Sequence, residues 1–204
     1  MNQHWDKIFS STDDNLLGWY EKDPSPILKL LNLNLDWKDS IAFLPGIGTS
    51  DIFEELLSRE IQLVLNDISK KALEIIEQKL GSRKNNVTLY HGDIAKILPP
   101  TIPKVDLWID RAVLHFLTEE NDIEGYFQNL RSIVKRGGFA LFAQFSLEGA
   151  AKCAGLNIHR YSAKNLSGRL GDDFQVVNQF DHTYINPYGD PRPYIYVLYK
   201  RLSL

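Results

Sequence analysis

From residue 40 onward, short apolar runs alternate with amphipathic stretches, and this alternation constrains the fold more than any other feature of the chain. The first run, Ile41-Ala42-Phe43-Leu44, closes in the turn Pro45-Gly46-Ile47-Gly48. Ile52, Phe53, Leu56 and Leu57 then recur at helical spacing. Ile61-Gln62-Leu63-Val64-Leu65 follows, and after it a helical segment runs from the N-cap Ser69 to the stop at Gly81. Val87–Tyr90, Val105–Ile109 and Phe139–Ala143 read as further strands, with a helix of about fifteen residues ending near Lys135 before the last of them. Parallel strands need helix-length crossovers, so this order predicts an α/β fold with a parallel sheet and helices on both faces. Residues 146–160 show no period and are expected to form a loop over the site. A helix near 162–170 precedes two β-rich runs, Phe174–Phe180 and Tyr194–Tyr199, expected to pair antiparallel.

The length fits a single domain over residues 1–204, with an N-terminal cap segment over 1–39 and the core over 40–204. A net charge of −3 argues against charge-driven nucleic-acid binding. The single cysteine, Cys153, excludes an intrachain disulfide and a thiolate metal cluster, and no metal site is expected. No apolar run reaches membrane-spanning length, and Met1–Asp6 lacks a basic region followed by an apolar one. The expectation is a cytoplasmic protein, monomeric or homodimeric.

In open parallel sheets the ligand lies beyond the carboxyl ends of the strands. After the first strand, Gly46, Ile47 and Gly48 offer backbone N–H groups at a helix start. A dinucleotide turn has a third glycine where this chain has Asp51, whose charge opposes a pyrophosphate. Asp67 follows the second strand nineteen positions after Gly48, near the spacing of a ribose-binding acid. The alternative is that it only favours the start of the next helix dipole. Asp93, in His91-Gly92-Asp93, can accept from an adenine amine, with Ile94 against the ring; an ordinary Gly-Asp turn is the alternative. Asp110-Arg111 closes the fourth strand; Asp110 either lines a reaction site or forms a buried pair with Arg111. His115 is a candidate base or a packed histidine. Trp5, Trp19 and Tyr20 either fold over a cationic ligand or anchor the N-terminal segment.

Together the glycine turn, Asp67, the Gly-Asp after strand three and Arg136-Gly137-Gly138 resemble the class I S-adenosylmethionine (SAM)-dependent methyltransferases. More narrowly, Trp5-Asp6, Gly18-Trp19-Tyr20, Asp110 to Leu117, Cys153 to Leu156 and Arg160-Tyr161 resemble small bacterial-type enzymes related to the citrate synthase lysine methyltransferase. The resemblance implies a Rossmann-like, seven-stranded, mostly parallel sheet with an antiparallel last strand. It also implies SAM as cofactor and S-adenosylhomocysteine (SAH) as product. The candidate cofactor contacts are Gly46, Ile47, Gly48, Asp67, Ile68, Asp93, Ile94, Asp110 and Trp19. Leu44 stands where the family usually has an acid, so weaker SAM affinity is expected. Candidate bases, in order, are Asp110, His115 and Tyr161. The expected acceptor is a small molecule; a protein lysine, and a SAM-binding module without catalysis, are the alternatives.

Overall fold

A computed structural model describes residues 1–20, 23–33 and 36–203. Nine strands and six α-helices are present among them: α1 (Asn2–Ser11), α2 (Ser25–Leu31), β1 (Ile41–Leu44), α3 (Ile52–Ser58), β2 (Gln62–Asp67), α4 (Lys70–Leu80), β3 (Val87–His91), β4 (Val105–Arg111), α5 (Glu120–Ile133), β5 (Val134–Phe145), β6 (Lys152–Cys153), β7 (Leu156–Asn157), α6 (Ala163–Leu170), β8 (Phe174–Ile185) and β9 (Pro191–Arg201). Seven strands form one sheet in the order β3-β2-β1-β4-β5-β9-β8. β1 to β5 pair in parallel, whereas β9 is antiparallel to both β5 and β8. The order reverses between β1 and β4, where neighbouring crossovers leave the sheet in opposite directions and open a crevice.

Alternation along the strands divides the core in two. Ala42, Leu44, Leu63, Leu65, Leu107 and Ile109 pack on one face against α2, α3 and α4. Phe43, Val64, Trp108, Ala140 and Phe142 pack on the other face against α5 and α6. Successive side chains of a strand point to opposite faces, so central strands buried on both sides are apolar throughout. The parity has a direct consequence at the end of β4. Arg111 continues the Leu107–Ile109 row, and Asp110 continues the row of Trp108.

Helix α5 comes close to the loop after β3 because Gly125 has no side chain. A Cβ there would stand 2.2 Å from the Ala95 carbonyl oxygen. Asn129, one turn on, donates to the Ile94 and Lys96 carbonyls and accepts from Leu98 N–H, fixing the same loop. Gly125→Ala is therefore expected to cost about 2–3 kcal/mol, as overpacking against rigid backbone does. Urea denaturation checks this, and an unchanged midpoint would contradict the packing account.

The stretch expected to be a loop contains a small hairpin, β6–β7, with Lys152 opposite Asn157 and Cys153 opposite Leu156. Its two-residue turn, Ala154-Gly155, has φ of 51° and 76°, the positive pair that a tight hairpin turn requires. The terminal pair runs longer than its apolar periodicity indicates. Asn186 closes the β8–β9 turn by accepting from Tyr188 and Asp190 N–H groups. No described helix is long and apolar enough to cross a membrane.

Candidate active site

A cavity of about 230 Å³ opens at the carboxyl ends of β1, β2 and β4, beside the loop after β3. Its floor is the turn Pro45-Gly46-Ile47-Gly48, in which Gly46 and Gly48 have φ of 52° and 55°. Gly46 is confined twice over, since a Cβ would meet Val113 Cγ2 at 2.5 Å. The turn is tied to β2 by Ile47 N–H donating to the Asn66 carbonyl at 2.9 Å.

Asp67 ends β2 and is 4% exposed. One carboxylate oxygen accepts from Gly48 N–H at 2.8 Å and the other from Ser69 N–H at 2.7 Å. The nineteen-residue spacing thus becomes a direct bond between acid and glycine turn. Burial raises its pKa from 3.8 to about 6, against the lowering pull of these N–H groups. Asp93 and Ile94 line the cavity on the β3 side, with Asp93 also accepting from Ala95 N–H at 3.0 Å.

The N-terminal segment roofs this space. It forms a helix, α1, held by Asp6, which accepts from Ser69 Oγ at 2.6 Å and Lys71 N–H at 3.2 Å. Those bonds, chiefly the one from Ser69, lower the acid's pKa. Ser69 also caps α4 by accepting from Ala72 N–H, so one hydroxyl joins the roof to the floor of the site. His4 Nε2 lies 3.1 Å from the Ala154 carbonyl, linking α1 to the β6–β7 turn. Further along, Lys79 Nζ donates to Asp14, Asp51 and the Thr49 carbonyl at 2.6–2.8 Å. Asp51, at the position of the missing third glycine, is thus an ion-pair partner on the cavity rim.

Trp5 meets Trp19 and Phe116 edge to face at 5.6 and 4.8 Å and Phe9 in a stacked arrangement at 6.2 Å. All four rings line the cavity and belong to one aromatic wall. The aromatics therefore cover the space and anchor the segment at the same time. Asp6→Ala is expected to cost about 1 kcal/mol of stability through its lost hydrogen bonds. It should also speed proteolysis within residues 1–20, and a digestion rate equal to that of the parent would contradict this anchoring.

Of the expected cofactor contacts, Gly46, Ile47, Gly48, Asp67, Ile68, Asp93, Ile94 and Trp19 all line the cavity. Asp110 does not. It is fully buried on the opposite face, accepting from Val113 N–H, Leu114 N–H, Tyr126 Oη and Gln144 Nε2 at 2.5–3.0 Å. With four donors on its two oxygens, it braces the turn after β4. Burial raises its pKa to about 6 although all four donors oppose the rise.

His115 and Tyr161 are also displaced from the expected catalytic position, being buried and outside the cavity wall. His115 Nδ1 is 3.0 Å from Gln144 Oε1, and since Gln144 Nε2 donates to Asp110, the Nδ1 proton points to that oxygen. Burial lowers the His115 pKa to about 3, which keeps the ring neutral. Tyr161 lies among apolar side chains, and burial pushes its phenol pKa upward. None of these three candidate bases lines the cavity; all three are buried behind its wall. Arg111, considered in sequence only as a partner for Asp110, is the residue that reaches the cavity. Strand parity was the available signal.

Residues 45–138 match the family model of a methyltransferase domain. No curated protein matches the chain by sequence. Solved structures agree with the architecture. The N-methyltransferase NodS from Bradyrhizobium japonicum in complex with SAH has a TM-score of 0.75 at 16% identity, with 99% of this chain and 98% of that one covered. A SAM-dependent methyltransferase from Anabaena variabilis gives 0.73 at 15%, covering 98% and 93%. The 1,6-didemethyltoxoflavin-N1-methyltransferase from Burkholderia thailandensis, with bound 1,6-didemethyltoxoflavin and SAH, gives 0.68 at 12%, covering 99% and 84%. The chain has the α/β fold of SAM-dependent methyltransferases.

Proposed function

We propose that this protein is a SAM-dependent methyltransferase whose acceptor is a small molecule. The observation that carries the reading is one cavity joining the Gly46–Gly48 turn, Asp67 and Asp93 to an aromatic wall. The donor set fits the cofactor. Asp67 retains lone pairs for ribose hydroxyls, and Asp93 can accept from the adenine amine. Ile47, Ile68 and Ile94 offer apolar surface to the ring, and the rings of Trp5, Trp19 and Phe116 suit a nearby cation. Two neighbours are described with SAH bound, and one of them acts on a small heterocycle, which supports the same reading.

When bound, SAM supplies a methyl carbon activated by its sulfonium. The chain's residues have three tasks. The glycine turn and Asp67 hold the cofactor end, which turns a bimolecular encounter into an oriented one. The roof of α1 and Trp19 excludes water, strengthening electrostatic interactions inside. Asp110, through Val113 and Leu114, holds the turn that presents Ala112, Val113 and Phe116 to the cavity. An acceptor lysine on a folded protein would need an open channel, whereas Trp5, Phe9 and Leu17 over this cavity are themselves buried. That favours the small-molecule reading.

The test is incubation with methyl-labelled SAM and a panel of thiols, amines, phenols and carboxylic acids. Label in a small-molecule product is expected. Label confined to added protein would point to the lysine reading, and SAM binding without turnover of any acceptor to a non-catalytic module.

A further inference from the structure

We propose that Asp6 and Phe9 of helix α1 are positioning residues for the cofactor, so that docking of α1 and binding of the nucleoside strengthen each other; this rests on the function proposed above. Two N–H groups hold the Asp67 carboxylate, those of Gly48 at 2.8 Å and Ser69 at 2.7 Å. Helix α1 touches both of these residues. Asp6 Oδ1 accepts from Ser69 Oγ at 2.6 Å. The Phe9 ring lies against Gly48, where an added Cβ would stand 3.3 Å from Phe9 Cζ. The roof therefore bears on the same two groups that orient the proposed ribose acid.

Asp6 does more than cover the cavity. The same Oδ1 accepts from Lys71 N–H at 3.2 Å, in the first turn of α4. It thus fixes the start of α4 from outside, while Ser69 caps that helix from within. The segment so fixed, Asp67-Ile68-Ser69, brings both Asp67 and Ile68 to the cavity wall. A displacement of Ser69 moves the donor that Asp67 relies on.

Helix α1 is itself sensitive to what it rests on. Ten residues are too few to keep a helix in water, so α1 persists by docking. The buried Trp5 and Phe9 pack with Ala72 of α4. Among the described residues, its side chains reach the rest of the chain through polar contacts at His4 and Asp6. A nucleoside that fixes Asp67 also fixes Gly48 and Ser69 in the places α1 fits. Linkage then requires α1 to tighten the nucleoside by the same factor. The coupling enters at the Asp67 end of the cavity, so adenosine without the amino-acid part of the cofactor is sufficient to carry it.

The test reads both directions of this linkage. Binding of SAH and of adenosine to the parent is measured first by calorimetry. Free and saturated protein are then digested with chymotrypsin, and cleavage after Trp5 and Phe9 is followed by mass. Each ligand is expected to slow that cleavage by about tenfold, and Asp6→Ala to weaken SAH binding by a similar factor. Asp6→Asn keeps the accepting Oδ1 and should stay within about threefold of the parent in both readouts. An anchor with no positioning role would give Asp6→Ala faster digestion and unchanged SAH affinity, which would overturn the proposal. So would cleavage that SAH leaves unchanged, or adenosine that fails to bind or binds without protecting. In those cases SAH still binds the parent and the methyltransferase reading stands; a parent that does not bind SAH removes that reading as well.

Discussion

Replacing Asp67 with alanine is expected to lower affinity for SAH by about a hundredfold or more, the largest effect on binding of any single change at the site. Hydrogen bonds to a charged group contribute about 1.5–3 kcal/mol each, and the proposed ribose contacts would form two. The same carboxylate holds Gly48 N–H, so its loss also frees the turn from β2. The binding should depend on pH in a particular direction. Burial raises the Asp67 pKa to about 6, with the N–H groups of Ser69, Gly48 and Ile68 and the charge of His91 pulling the other way. Protonation removes the charge that the hydroxyls meet, so SAH affinity should fall as pH drops below about 6. Stability responds with the opposite sign. A carboxyl whose folded pKa is raised contributes most below its unfolded pKa, and that contribution is lost as pH rises through about 6. Calorimetric titration between pH 5 and 8 checks the binding; a flat profile would contradict a ribose contact by Asp67.

Asp110→Ala is expected to have the largest effect on stability, about 4 kcal/mol, with little effect on the cofactor affinity of the molecules that remain folded. The substitution leaves Tyr126 Oη, Gln144 Nε2 and two backbone N–H groups buried without their acceptor. Each such group costs about 1–3 kcal/mol, partly recovered by relaxation. Trp108 Nε1 donates to Tyr126 Oη at 2.8 Å, so the disturbance extends into the core beneath β4. Asp110→Asn keeps the volume but brings N–H groups toward a site built of donors, and about 2 kcal/mol is expected. Urea denaturation with SAH titration of each variant separates the roles. Full stability with lost turnover would restore Asp110 as a catalytic group.

The contrast between these two acids illustrates what the sequence conveys and what it does not. Both follow apolar runs, and the sequence resemblance implied a cofactor contact for both. Counting from Leu107 and Ile109 puts Arg111 on their face and Asp110 with Trp108, so the sidedness was present in the two-residue period of β4. A reading of motifs alone passes over it. The parallel strands and their helices were legible because burial on both sheet faces leaves long apolar runs, and Ser69 and Gly81 mark both ends of α4. The β6–β7 hairpin was not legible, since two-residue strands carry no periodicity. Helix α1 was read only as an aromatic stretch. What fixes it is Asp6 meeting Ser69, a contact 63 positions apart that no local pattern encodes.

The proposed function requires this cavity to take SAM. The most direct test is calorimetric titration of the purified protein with SAM, SAH and NAD. Micromolar binding of the first two and none of NAD is predicted, the latter because Asp51 stands where a pyrophosphate needs glycine. Binding of NAD, or of neither SAM species, would contradict it.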